Sequence, residues 1–189
     1  MKKIIVITTA FLLVAGAGFA QEWNWDKAHS QLNFGVTHMT INEIDGTFST
    51  VEAKMTAAKD DLSDAQITLS ADVSSINTGN EQRNNHLKSA DFFNAAQFGT
   101  LTFKSTSFTK TADKTYALTG DLTMHGVTKP VTLKVTFNGT TVGMNKKTVA
   151  GFKITGVIKR MDFGIGTSMP ASALSDEVML NANAEFVKN

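Results

Sequence analysis

The sequence predicts an all-β fold, and three observations carry that prediction. Apolar and polar residues alternate with a period of two through most of the chain, the pattern of half-buried strands. The breaks between alternating runs are rich in Gly, Asn, Asp and Thr, with only Pro130 and Pro170 as prolines. That punctuation suits long antiparallel strands joined by short turns. The alternation fails in one place, around residues 80–96, where helical spacing replaces it.

Eight runs carry the strand pattern. Leu32, Phe34, Val36 and His38 form the first, followed by Val51, Ala53 and Met55, and then by Ile67, Leu69, Ala71 and Val73. Leu101 and Phe103 come after the helical stretch, then Tyr116, Leu118, Gly120 and Leu122, then Val131, Leu133, Val135 and Phe137. Phe152 and Ile154 mark a seventh run, and Val178 through Phe186 an eighth. Eight antiparallel strands suit a closed or nearly closed up-and-down barrel, wide enough for side chains or one small ligand. A two-sheet sandwich gives much the same periodicity, so both architectures stay open at this point.

The exception to the pattern is predicted to be a helix from Asn80 to about Ser89. Thr78 or Asn80 can cap it, and Glu81 sits in the first turn, where a carboxylate complements the helix dipole. Arg83, His86 and Leu87 then share one face, and Phe92 and Phe93 follow near a second turn at Asp91–Ala96. A charged and greasy plug of this length between two strands suggests a lid over an apolar cavity.

The N-terminus reads as a targeting segment over residues 1–20. Lys2 and Lys3 precede the apolar run Ile4–Val14, which is short for a membrane span, and Gly18 and Ala20 supply the small residues of a cleavage site. The expected mature chain, residues 21–189, is one domain. Loss of Lys2 and Lys3 turns the formal charge of +1 into a slight acidic excess. This is neither the basic footprint of a nucleic-acid binder nor a polybasic membrane-surface segment. There is no cysteine, so no disulfide and no thioether-linked lipid. All but two of the 13 phenylalanines lie in the mature region, and a residue without a polar handle favours dry surroundings.

Several ordered motifs resemble the YceI-like family of exported, lipocalin-like proteins associated with polyisoprenoid binding. They are His29-Ser30, Phe34-Gly35-Val36-Thr37-His38, Gly46-Thr47-Phe48, Ser75-Ile76-Asn77-Thr78, Arg83-Asn84-Asn85-His86-Leu87 and Ser89-Ala90-Asp91-Phe92-Phe93. Phe103-Lys104-Ser105, Gly120 through Val131, and Arg160-Met161-Asp162-Phe163-Gly164 complete the set, which spans essentially the whole mature region. The resemblance implies an eight-stranded antiparallel lipocalin-like barrel with a short helical insertion around residues 80–96. Asn84 departs from the aspartate usual after the arginine, and Asn94 and Gly99 replace an aspartate and a proline. Asn84 thus removes the carboxylate that an Arg–Asp pair at positions 83 and 84 would need.

The resemblance further implies an apolar tunnel for an isoprenoid, an isoprenoid quinone or a fatty-acid-like lipid. Candidates for its wall are Phe34, Val36, Phe48, Leu87, Phe92, Phe93, Phe103, Met124, Phe137, Phe152 and Phe163; ordinary core packing is the competing role for each. His38, Arg83, His86 and Arg160 are candidates for a polar mouth, where Arg83 would fork onto an acidic headgroup. The competing role for Arg83 and His86 is to tie the insertion to strand ends through backbone carbonyls. The four histidines lack metal-ligand spacing, and no serine-hydrolase elbow, phosphate loop or zinc-protease motif occurs. The expectation is thus a binding protein without cofactor, metal, nucleic-acid partner or stable membrane insertion, exported to the periplasm or secreted, as a monomer or a homodimer. A small exported enzyme acting on such a lipid, and a stress-related interaction protein with a filled barrel, are the alternatives.

Overall fold

The computed structural model describes residues 20–189. The expected signal peptide therefore lies, but for Ala20, outside the described residues. Eleven strand segments follow one another: β1 (Gln21–Trp25), β2 (Gln31–His38), β3 (Asn42–Phe48), β4 (Val51–Ala57), β5 (Gln66–Asp72) and β6 (Ile76–Asn77), then, after helix α1 (Glu81–Lys88), β7 (Thr100–Ala112), β8 (Thr115–Met124), β9 (Val127–Val142), β10 (Thr148–Lys159) and β11 (Leu174–Lys188).

All pairings are antiparallel, and β1 closes the ring by pairing β4 on one side and β11 on the other. Closure at both edges rules out the sandwich. The eleven segments trace eight long strands, because three of these are bent. β1 and β2 both lie along β11, through Trp25↔Phe186 and Gln31↔Asn183. β3 and β4 face the same bent pair, through Leu32↔Phe48 and Trp23↔Met55. β5 and β6, separated by a 3-10 turn at Val73–Ser75, face β4 and β3 in turn.

The eight alternating runs of the sequence fall on β2, β4, β5 and β7–β11, while β1 and β3 carry too weak a pattern to be marked. The reason is local. β1 has five residues, and β3 offers only Ile44 and Phe48 as large apolar side chains, with Gly46 between them. Pairing to β2 and β6, rather than intrinsic preference, makes β3 a strand.

Inward residues of β4 read buried at every second position, Val51, Ala53, Met55 and Ala57, and burying each large one contributes about 1.5–3 kcal/mol. Barrel closure rests on few pairs but is reinforced by the edge-on contact of Trp25 with Phe186, centroids 5.7 Å apart, and by Lys188 Nζ 5.5 Å over the Trp23 ring. The β8–β9 hairpin turns on His125 and Gly126, both at positive φ (51° and 74°). Two such residues make the tight turn whose twist matches flanking strands. No helix among the described residues is long and apolar enough to cross a membrane.

Candidate ligand cavity

The barrel interior is not filled. It holds a cavity of about 190 Å³ walled almost entirely by apolar side chains. Nearly every strand contributes through its inward positions. Phe34 and Val36 come from β2, Phe48 from β3, Phe103 from β7, Met124 from β8 and Phe152 from β10. The insertion adds Leu87, Phe92 and Phe93, and the connection between β10 and β11 adds Arg160 and Ile165.

The insertion is held by its own polar groups. Asn80 is the cap of α1, its Oδ1 accepting from the Arg83 N–H at 2.9 Å. Asn84 Oδ1 accepts from both the N–H and the Oγ1 hydroxyl of Thr78, each at 2.8 Å. Arg83 then closes the unit, donating from Nε to Thr78 Oγ1 and from Nη2 to Thr78 O, both at 2.7 Å. Asn84 thus does with an amide oxygen what a carboxylate could do at that position. Arg83 points back at the entry of the helix rather than at the cavity. His86 is exposed, 3.8 Å from Asp91 Oδ2 and edge-on to Phe92.

Among the described residues, Arg160 is the one charged side chain in the wall, and it is buried at 3 % exposure. Its partners are backbone carbonyls and not the nearby Asp162. Its Nε donates to Ser175 O (3.0 Å), Nη1 to Ile165 O (3.0 Å) and Gly166 O, and Nη2 to Met169 O (2.7 Å) and Leu174 O (3.0 Å). All five N–H groups of a guanidinium are thereby used on backbone carbonyls. Burial pulls its pKa below the ordinary value, and the Asp176 charge acts the other way. The result folds the connection 160–173 over one end of the barrel and leaves no donor for a headgroup.

The remaining sequence candidates lie off the cavity. His38 is exposed at the end of β2, paired with Asn42 and Leu174. Phe137 is half-buried and packs on Phe152 at 5.2 Å. Phe163 is 1 % exposed, and its carbonyl meets His125 Nδ1 at 3.0 Å. The wall also includes aliphatic residues such as Leu133, Ile154, Val178 and Leu180, which are not among the wall candidates named from the sequence. They stand at inward positions of the alternating strands, so the strand period alone marks them.

One polar cluster lies elsewhere, at the bend between β1 and β2. Asp26 Oδ2 meets His29 Nδ1 at 3.0 Å, and Glu185 completes a group whose ligand atoms lie within 4.8 Å of one another. Asp26 Oδ1 accepts from the Ala28 N–H at 2.9 Å, so the aspartate is accounted for by the turn it closes. The pairing holds the Asp26 carboxyl below its ordinary value and raises the His29 imidazole.

Fold and cavity together define a closed β-barrel with an apolar lumen and a helical insertion in its wall. Residues 23–186 match the model of the YceI-like domain, and the chain belongs to that family. A UPF0312 protein of Pseudomonas putida is 37% identical over 186 residues, covering 94% of this chain and 92% of that protein. The YCEI protein of Campylobacter jejuni superimposes with a TM-score of 0.73 at 31% identity, covering 81% of this chain and 90% of that one. A polyisoprenoid binding domain from Saccharophagus degradans, implicated in plant cell wall breakdown, shares the fold with a TM-score of 0.65 at 16% identity, covering 88% and 98%.

Proposed function

We propose that this protein binds one long apolar chain in the barrel lumen and carries or sequesters it without chemical change. The ligand class is an isoprenoid, an isoprenoid quinone or a fatty-acid-like lipid. One observation carries this reading: a cavity of about 190 Å³ whose wall is apolar on nearly every strand and on the insertion. An empty apolar cavity in a protein stays dry and takes apolar guests. Each buried methylene-sized group contributes about 0.8 kcal/mol, so a five-carbon isoprene unit supplies ~4 kcal/mol before the cost of ordering the chain. Two or three units suffice for useful affinity. The polyisoprenoid binding domain of S. degradans, with the same fold, supports the same class.

Headgroup recognition contributes little in this reading, because Arg160 spends all its donors on the protein itself and Arg83 is turned back onto Thr78. Export to the periplasm or beyond is part of the proposal, on the strength of Lys2, Lys3 and the apolar run after them. Native mass spectrometry of freshly purified protein, with organic extraction, is expected to release a long-chain lipid. Titration with a polyprenyl alcohol and its diphosphate is expected to give equal affinities. Failure to bind either compound, or appearance of a reaction product, would overturn the reading.

A further inference from the structure

We infer that Gly46 and Gly156 set the bore of the lumen, and that this bore is what admits a methyl-branched chain. The inference rests on the lipid-binding reading above and adds which residues decide the shape of the guest.

One row of paired residues runs around the barrel at a single level. Phe108 faces Leu118, and Leu118 faces Leu133. Gly156 faces Leu180, Leu180 faces Phe34, and Phe34 faces Gly46. Directly paired residues project to the same side of a sheet, and the large members of this row line the cavity. Gly46 and Gly156 therefore present their missing side chains to the lumen.

The neighbouring side chains lie in the space these glycines leave. A Cβ on Gly46 would stand 2.2 Å from Phe34 Cζ, with Phe34 Cε1 and Cε2 next at 2.7 and 2.8 Å. A Cβ on Gly156 would stand 2.4 Å from Leu133 Cδ2, with nothing else closer than 3.7 Å. In both cases the obstacle is the far end of a side chain, not backbone. The ring and the methyl lie back against the wall because a glycine is beneath them. A methyl group added there must lift them, and the open side is the lumen, since Phe48 already flanks Phe34 at 5.7 Å.

Other glycines beneath rings differ. At Gly120 the Phe103 ring would lie 2.4 Å from a Cβ, but the Lys104 carbonyl oxygen would lie 2.5 Å away, so alanine there breaks the wall itself. Gly166, under Phe92, has a positive φ of 59° and is tied to its conformation. Only Gly46 and Gly156 in this set can report bore without backbone strain.

An isoprenoid chain carries a methyl branch on every fourth carbon, so it needs a wider channel than an unbranched chain of equal length. The test compares geranylgeraniol with hexadecanol, which share main-chain length, on wild type, Gly46→Ala, Gly156→Ala and the double variant Gly46→Ala/Phe34→Ala. Each glycine variant is expected to lose affinity for geranylgeraniol by about 10-fold or more, the scale of one misfitted methyl in an apolar pocket. Loss for hexadecanol should be smaller, and removal of the Phe34 ring should relieve the effect of Gly46→Ala. Wild-type-like affinities in both glycine variants, or equal losses for the two alcohols, would overturn the inference. A crystal structure of Gly46→Ala under xenon reads the bore with no lipid at all. A Phe34 ring lifted into the lumen with reduced xenon occupancy supports the inference, and an unmoved ring overturns it. If wild type binds neither alcohol, the lipid-binding reading falls, while the xenon experiment still decides the bore. Gly156→Ala carries the same crystal test through Leu133 should Gly46→Ala not fold.

Discussion

The ring of Phe93, on the helical insertion, meets the ring of Phe48, on β3, edge to face with centroids 6.1 Å apart. Phe48 in turn packs on Phe34 at 5.7 Å, so an aromatic chain runs from barrel wall to insertion across the edge of the cavity. Helix α1 itself buries no residue, and its attachment to the barrel is at β6. The insertion is therefore held down by the phenylalanines that follow the helix more than by the helix.

Phe93→Asp is expected to abolish retention of bound lipid while leaving unfolding cooperative. Phe93 is half-buried, so its cost in stability should be about 1–2 kcal/mol, below the 3–5 kcal/mol of a fully buried phenylalanine. Native mass spectrometry and a urea melt read the two effects separately. Undiminished retention would remove the insertion from the ligand's path.

Arg160→Leu strands five carbonyl oxygens, two of them buried and three part-buried, that one guanidinium now satisfies. A loss of at least about 3 kcal/mol is expected, since an unpaired buried acceptor costs its desolvation. Arg160→Lys keeps a charge but not the planar fork, and should fall in between. Chemical denaturation measures both. In Arg160→Lys the ratio of affinities for polyprenyl alcohol and diphosphate should stay as in wild type; a changed ratio would assign the guanidinium to a headgroup after all.

Asn84→Ala removes the acceptor shared by the Thr78 N–H and hydroxyl, with an expected loss of about 1–2 kcal/mol. Asn84→Asp keeps that acceptor and adds charge-assisted strength, so its melting temperature should equal or exceed that of wild type. Thermal melts of the two variants decide; an aspartate variant as unstable as the alanine variant would show that the amide nitrogen matters, not the oxygen.

The Asp26–His29 pair should make stability pH-dependent within a bounded window. The His29 pKa is raised above its ordinary 6.5, chiefly by the bond to Asp26. Its contribution is complete below 6.5 and fades as pH rises through the raised value. The Asp26 pKa is lowered from 3.8, chiefly by the bond to His29, so its contribution is complete above 3.8 and fades in stronger acid. The pair therefore helps most between these two ordinary values. Titration of the His29 ring by NMR should give a midpoint above 6.5 that returns toward it in Asp26→Asn; an identical midpoint in both proteins would mean that the contact does not persist in solution.

Much of the fold was legible in advance because a half-buried strand imprints its period directly on the sequence. Val51, Ala53 and Met55, or Leu180, Ala182 and Ala184, can face one way only if they belong to strands. The helix ends were legible for a similar reason: Asn80 and Ser89 flank α1 as cap residues, and capping is a local hydrogen bond. β3 was not, since a strand of Glu43, Ile44, Asp45 and Gly46 becomes one only through its partners.

The candidate site divides along the same line. Chain chemistry alone determined that this protein has an apolar interior, an all-β scaffold and one helical insertion, because side-chain polarity and spacing are properties of the chain. Only the tertiary structure decided what the arginines do. Arg160 could serve a ligand or a loop, and the choice depends on whether five carbonyls from residues 165–175 converge on it. The tertiary structure also decided that the interior is a cavity rather than a filled core. That depends on whether a ring such as Phe34 points into the lumen or lies across a glycine on the neighbouring strand, a relation between residues far apart in sequence that no periodicity records.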